Sequence, residues 1–266
     1  MLTVRVLKVA DDEAGLAVEP SLSPETFARP EDPPYRRANT MWVGSPEALE
    51  LLGLQSGAKA TLEQLAAAVA GQHATSGAPV RADDAAFDLT FLPPTSLSWV
   101  WAQAKTDLRA DLERAAVNAA YSCLQYLTQT RPVIDNIATA RGFAAALALH
   151  AVGHRRPWAN MPPPLLHVHG YLVGVLDESG TLRGPCHPAL HEETLTRECG
   201  ALGRARLAED LRDLGFEIEA GTGRDGRSFE IAGVPGGLLR AGQSADKGCA
   251  GWGRETDRDP WARDNF

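Results

Sequence analysis

The stretch Leu165–Val175, LLHVHGYLVGV, limits the fold more than any other in this 266-residue chain. An apolar run of this kind reads as a β-strand, and a strand sends successive side chains to opposite faces. His167 and His169 lie two positions apart, so they share a face at a spacing of roughly 7 Å. Burying two imidazoles is costly unless their ring nitrogens find partners, and a shared divalent metal satisfies both at once. The competing reading is a strand with one wet face, on which the two histidines merely meet solvent. The pair alone does not choose between them.

The surrounding chain alternates strand and helix signals. Leu2–Val9, LTVRVLKV, alternates apolar and polar residues and reads as an opening strand. Residues 11–40 carry Pro20, Pro24, Pro30, Pro33 and Pro34 among many acids, which suits a loop or lid. This segment holds Tyr35, the only tyrosine in the first 120 residues. Trp42–Leu54 then starts a short helix, with Ser45 as N-cap, Pro46 at the first helical position and Gly53 at the end. Thr61–Ala70 is a second short helix.

FDLTF, Phe87–Phe91, is strand-like again, with Phe87, Leu89 and Phe91 on one face and Asp88 and Thr90 on the other. Pro93 and Pro94 stop it, and Ser96 or Ser98 is the expected cap of the next helix. Asp107–Gln129 has the longest helical periodicity in the chain. Ala138–His150 is read as a strand, joined to the histidine strand by a hairpin loop over Arg155–Pro164. That hairpin puts His150 across from His169 and His154 beside Leu165 and His167. Both have the same strand parity, so periodicity does not choose between them.

Thr181–Leu190 is short and irregular. Glu192–Leu214 is a helix with Leu202, Leu207, Leu211 and Leu214 as its apolar stripe, and Phe216–Ala220 with Ser228–Ile231 makes a hairpin around a glycine-rich turn. GTGRDGR lacks the lysine and the strand-to-helix setting of a phosphate loop. The expectation is a single α+β domain over residues 1–240, an antiparallel sheet covered by helices on one face, with a disordered tail from 241 to 266.

No apolar run approaches the ~20 residues needed to span a bilayer, and the charged N-terminal stretch is unlike a signal peptide, so a cytoplasmic protein with no membrane partner is expected. Cys123, Cys186, Cys199 and Cys249 form no CxxC pair, which argues for reduced structural thiols. A net charge of -8 counts against nucleic acid, whose phosphates usually select a basic surface.

Four stretches in order nevertheless resemble the relaxase domain of the TrwC/TraI-type (MobF) conjugative relaxases, in the HUH endonuclease superfamily. MLTVRVLKV is similar to that family's N-terminal strand, WVGSPEALELLGL to its WxG-to-LGL segment, FDLTFLPPTSLS to its DLTFSAPKSVS motif, and LLHVHGYLVGV to its histidine motif. The likeness extends to about Leu239. It implies cutting of one DNA strand at an origin of transfer by attack of a tyrosine on phosphorus, leaving a 5′-phosphotyrosine.

It implies three histidines holding Mg2+ or Mn2+: His167 and His169 match the paired ligands. His150 is the preferred third, because HAVGH resembles the family's H-x-x-x-R stretch with His154 in place of arginine. Asp88 matches the aspartate of DLTF, which orients a ligand histidine or assists as a base, and Tyr35 is the candidate nucleophile. The implied partners are single-stranded or hairpin DNA and an accessory or helicase protein.

The chain also departs from that pattern. It has one tyrosine where the family carries pairs, and Thr95 stands where the motif has lysine. These departures and the acidic charge motivate a second reading, a single-strand-binding relic that keeps the fold without cleaving DNA. A third is a metallohydrolase acting on a small phosphoester.

Overall fold

Among the described residues, the longest strand is the histidine strand itself. The computed structural model describes residues 2–7, 39–81, 86–130, 140–152, 164–185, 193–221 and 228–240. Its strands are β1 (Leu2–Leu7), β2 (Asn39–Gly44), β3 (Ala86–Phe91), β4 (Gly142–Val152), β5 (Pro164–Leu176), β6 (Leu182–Arg183), β7 (Ile218–Ala220) and β8 (Phe229–Ile231). Its helices are α1 (Pro46–Leu51), α2 (Leu62–Val69), α3 (Thr95–Gln103), α4 (Thr106–Thr130) and α5 (Glu193–Asp213).

The main sheet runs β1-β3-β5-β4-β2, and every pairing is antiparallel. β5 lies at its centre with a neighbour on each edge. β4 already occupies one edge as far as Leu176, so β6, pairing at Val175 and Leu176, takes the other edge beyond the end of β3. β7 and β8 form a separate hairpin.

The two faces of the sheet are built differently. On one, Phe87, Leu89 and Phe91 of β3, Phe143, Ala145, Leu147 and Leu149 of β4, and Leu166 and Val168 of β5 meet α3, α4 and α5 in the larger core. Gly170 lets α4 approach closely there, since a Cβ at that position would lie 3.2 Å from Leu124 Cδ1 and 3.5 Å from Leu147 Cδ2. On the other face, β4 presents Ala144, Ala146 and Ala148, and Tyr171 and Val173 join them under Leu49, Leu52, Leu65 and Val69 of α1 and α2. The three long helices form the expected layer, and the two short helices close part of the opposite face.

Local sequence explains most boundaries. Gly44 has φ 137°, and a Cβ there would collide with the Phe143 carbonyl, so only glycine lets β2 turn directly into α1. Ser45 is the N-cap residue of α1 and Pro46 its first residue, as expected, although the serine side chain makes no capping bond. α2 opens with a reciprocal capping box between Thr61 and Gln64.

Four expectations are corrected. Residues 39–44 form a strand against β4, where a loop and a helix start were expected; the short TMWV alternation is easily hidden between a proline-rich stretch and a Ser-Pro helix start. Residues 182–183 form β6 within a stretch expected to be irregular. Ser96 and Ser98 are buried inside α3 and bond to other elements, while Pro94 occupies the cap position. Leu202 and Leu214 are exposed, and the buried stripe of α5 is Leu195, Cys199, Leu207 and Leu211.

Cys123 and Cys199 are buried thiols outside any disulfide, and the Cys123 thiol donates to the Cys199 carbonyl at 3.0 Å. Burial pushes the Cys123 thiol up to about 12, which keeps it protonated. Cys186, Cys249 and residues 241–266 lie outside the described residues. Among the described residues, no helix is long and apolar enough to cross a membrane.

The β5–β6 turn carries its own acid-sensitive element. Asp177 accepts from the Ser179 hydroxyl at 2.6 Å, from Arg183 Nε at 2.7 Å and from the Thr181 N–H at 2.9 Å. These bonds hold its carboxyl well below the usual range, the serine contributing most. A lowered folded value means the contribution is present above the ordinary carboxylate range, near pH ~4, and is lost on further acidification. Asp177→Asn is expected to lower Tm at neutral pH, with the two melting curves converging as pH falls below that range.

Candidate metal centre

Register assembles the site. β5 carries His167 and His169 on the face away from α3–α5, and β4 places His150 directly opposite His167. β3 places Thr90 opposite His169 and Asp88 opposite Tyr171, on the same face. Three neighbouring strands thus bring Asp88, Thr90, His150, His167 and His169 together.

The three imidazoles form a tight triangle. Ring centroids are 5.1 Å apart for His150 and His167, 4.8 Å for His150 and His169, and 5.0 Å for His167 and His169. One nitrogen from each ring lies within 4.8 Å of the other two, and this is the only such group of His, Cys, Asp and Glu among the described residues. His167 is buried, while His150 and His169 are partly exposed, so the cluster opens to solvent on one side.

Hydrogen bonds set the tautomer of two rings. His167 Nδ1 lies 3.0 Å from the Leu165 carbonyl oxygen, which can only accept, so Nδ1 carries the proton and Nε2 keeps its lone pair. His169 Nδ1 lies 2.9 Å from both oxygens of Asp88, a geometry that again leaves Nε2 as the bare nitrogen. The Asp88 side chain has no exposed surface and that of His169 is 12% exposed.

A carboxylate buried this deeply must be partnered. Asp88 reaches diagonally across the β3–β5 ladder to do so, and the Thr90 hydroxyl lies 3.5 Å from Asp88 Oδ1 and 3.3 Å from His169 Nδ1. Tyr171 stacks beneath His169 with ring centroids 5.8 Å apart and planes 14° from parallel. An imidazole whose Nδ1–H is anchored on oxygen, with the lone pair left to Nε2, is the arrangement typical of histidine metal ligands, so the donor set fits a divalent ion.

The TrwC relaxase family model matches residues 31–244. The chain belongs to the TrwC relaxase family.

Solved structures show the same fold. The conjugative relaxase TrwC in complex with oriT DNA, in a metal-bound structure, aligns with a TM-score of 0.66 at 23% identity, covering 98% of this chain and 85% of that one. TrwC complexed with a 27-mer DNA comprising the recognition hairpin and the cleavage site gives 0.64 at 21% identity over the same shares, 98% and 85%. A copper-bound TrwC–oriT complex gives 0.61 at 21% identity, again over 98% and 85%. Among curated proteins no sequence match is found.

Against the expected relaxase-family site, the structure brings together Asp88, His150, His167 and His169. His150 faces His167 and not His169, a correction of the expected register by two residues. The same offset runs along the regular ladder from Ala145–Leu172 to His150–His167, and an even shift preserves the shared face. Tyr35, His154, Arg155, Arg156, His187 and His191 lie outside the described residues. Thr90 and the Leu165 carbonyl were missed as site elements, although the alternation of FDLTF already placed Thr90 beside Asp88.

Asp88→Ala leaves the His169 Nδ1–H with only the longer contact to Thr90 Oγ1 in a mostly buried position and is expected to cost about 1–3 kcal/mol in urea unfolding. Asp88→Asn, which keeps an acceptor oxygen, is expected to cost less.

Proposed function

We propose that this chain is a metal-dependent, strand-specific DNA nickase acting at an origin of transfer, in the cytoplasm, during plasmid or conjugative-element mobilisation. The observation that carries this reading is the triangle of His150, His167 and His169, with two Nδ1 atoms anchored on Leu165 and Asp88, in a member of the relaxase family. The DNA in the aligned TrwC complexes supports single-stranded or hairpin DNA as the partner, and an accessory or helicase protein fits the same setting.

His150, His167 and His169 would hold Mg2+ or Mn2+. The bound ion supplies Lewis-acid polarisation of a phosphate and offsets charge in an in-line displacement. Tyr35 is the proposed nucleophile. Its oxygen bonds to phosphorus, the bond from phosphorus to the 3′ oxygen breaks, the 3′ oxygen takes up a proton, and the 5′ end stays on the protein as a phosphotyrosine. A tyrosine hydroxyl with an ordinary value of ~10 is mostly protonated at neutral pH, so it has to lose its proton within the site. Asp88 acts through His169, holding the ring so that Nε2 faces the cluster.

Incubation with pooled origin-like oligonucleotides and Mn2+ is expected to give a protein–DNA adduct that survives denaturant. Chelation, His167→Ala and His169→Ala are each expected to abolish it, and Tyr35→Phe to remove it with Mn2+ binding unchanged. An adduct that persists in Tyr35→Phe would assign the nucleophile elsewhere. Salt-dependent binding of single strands with no adduct under any condition would favour the non-cleaving relic.

A further inference from the structure

We propose that Ser98, on α3, is a positioning residue for the histidine cluster, acting through the backbone that holds His167. The proposal rests on the reading of that cluster as a metal site. Leu165 C=O and Leu166 N–H belong to one peptide unit. Its oxygen accepts from His167 Nδ1 at 3.0 Å, and its N–H donates to Ser98 Oγ at 2.9 Å. One rigid plane therefore has the imidazole at one end and the serine at the other.

The serine is needed because the strand ladder is interrupted here. β3 pairs with β5 only from Val168 onward, and the β4–β5 register passes from His150–His167 to Val152–Pro164 through an irregularity that leaves Leu165 and Leu166 without a ladder partner. A buried N–H with no acceptor is costly, and Ser98, only 2% exposed, supplies one from the helix layer beneath.

α3 is itself held in place. The Ser96 N–H donates to Glu230 Oε2 at 2.9 Å, the Ile231 N–H donates to Ser96 Oγ at 2.8 Å, and Trp99 Nε1 donates to the Leu238 carbonyl at 2.9 Å. Hairpin, helix and histidine strand are thus linked by hydrogen bonds, with Ser98 as the last link. Without its hydroxyl the peptide plane is free to tilt, the Leu165 carbonyl drifts from Nδ1, and the ring loses the bond that keeps its proton off Nε2.

The test compares wild type, Ser98→Ala, Ser98→Thr and the distant Thr128→Ala, whose hydroxyl bonds to the Leu124 carbonyl inside α4. Three readouts are taken: the 15N tautomer signature of His167 without metal, at a pH where the ring is neutral; Mn2+ affinity; and thermal melting. Ser98→Ala is expected to show a mixed tautomer and to bind Mn2+ about tenfold more weakly or worse. Ser98→Thr is expected to restore both, and Thr128→Ala to lower Tm while changing neither.

If Ser98→Ala does not fold, Ser98→Cys, with a weaker acceptor of similar size, is expected to shift both readouts part-way. A Ser98→Ala or Ser98→Cys protein that keeps His167 wholly in the Nδ1–H form overturns the proposal. Wild type that binds no Mn2+ overturns the metal reading instead, and the tautomer comparison still decides Ser98.

Discussion

The register of β5 against its two neighbours is the constraint on which everything else rests. A strand paired on both edges has no freedom to slide, and a slip of one residue would send His167 and His169 into the α3–α5 core and Leu166 and Val168 out to the site. The apolar residues on the core side therefore hold the histidines in place as firmly as anything that touches them. Hydrophobic burial is non-directional, but coupled to strand alternation it fixes direction.

Within that frame the site is tuned by acceptors. One histidine leans on a backbone carbonyl and another on a buried carboxylate, and both give the same result: the proton sits on Nδ1 and the lone pair is left to Nε2. Asp88 is the only carboxylate in this group, and it is buried against His169. The overall charge of -8 is thus a property of the whole chain more than of the cluster, whose other members are imidazoles. Under the proposed function, attraction to phosphate would have to come from a cation held by the rings, because the net charge of the chain works against it.

Much of this was legible in the residues alone. Alternation in FDLTF and LLHVHGYLVGV fixed which side chains share a face, and it survived a two-residue error in pairing because only even shifts keep apolar residues inside. Helical periodicity found α4 and α5, and the Ser-Pro pair marked the start of α1. What could not be read were features set by partners distant in sequence. Ser98 looks like a helix cap until β5 is seen lying across α3 with an unmatched N–H, and Leu202 fits an apolar stripe until the helix is seen to turn a different side to the core. β2 was missed for the same reason, since its strand character comes mostly from its pairing with β4.

Gly170 sits between His169 and Tyr171, on the side of β5 that faces α4. Every other residue on that side of β5 near the site carries an apolar side chain, and side chains have rotamers through which a strand can give. At Gly170 the strand rests almost directly on Leu124 of the helix. The long helix therefore lies closer to the floor of the site at Gly170 than any side chain at that position would allow, so even an alanine there would push β5 and α4 apart beneath His169 or force Leu124 to shift.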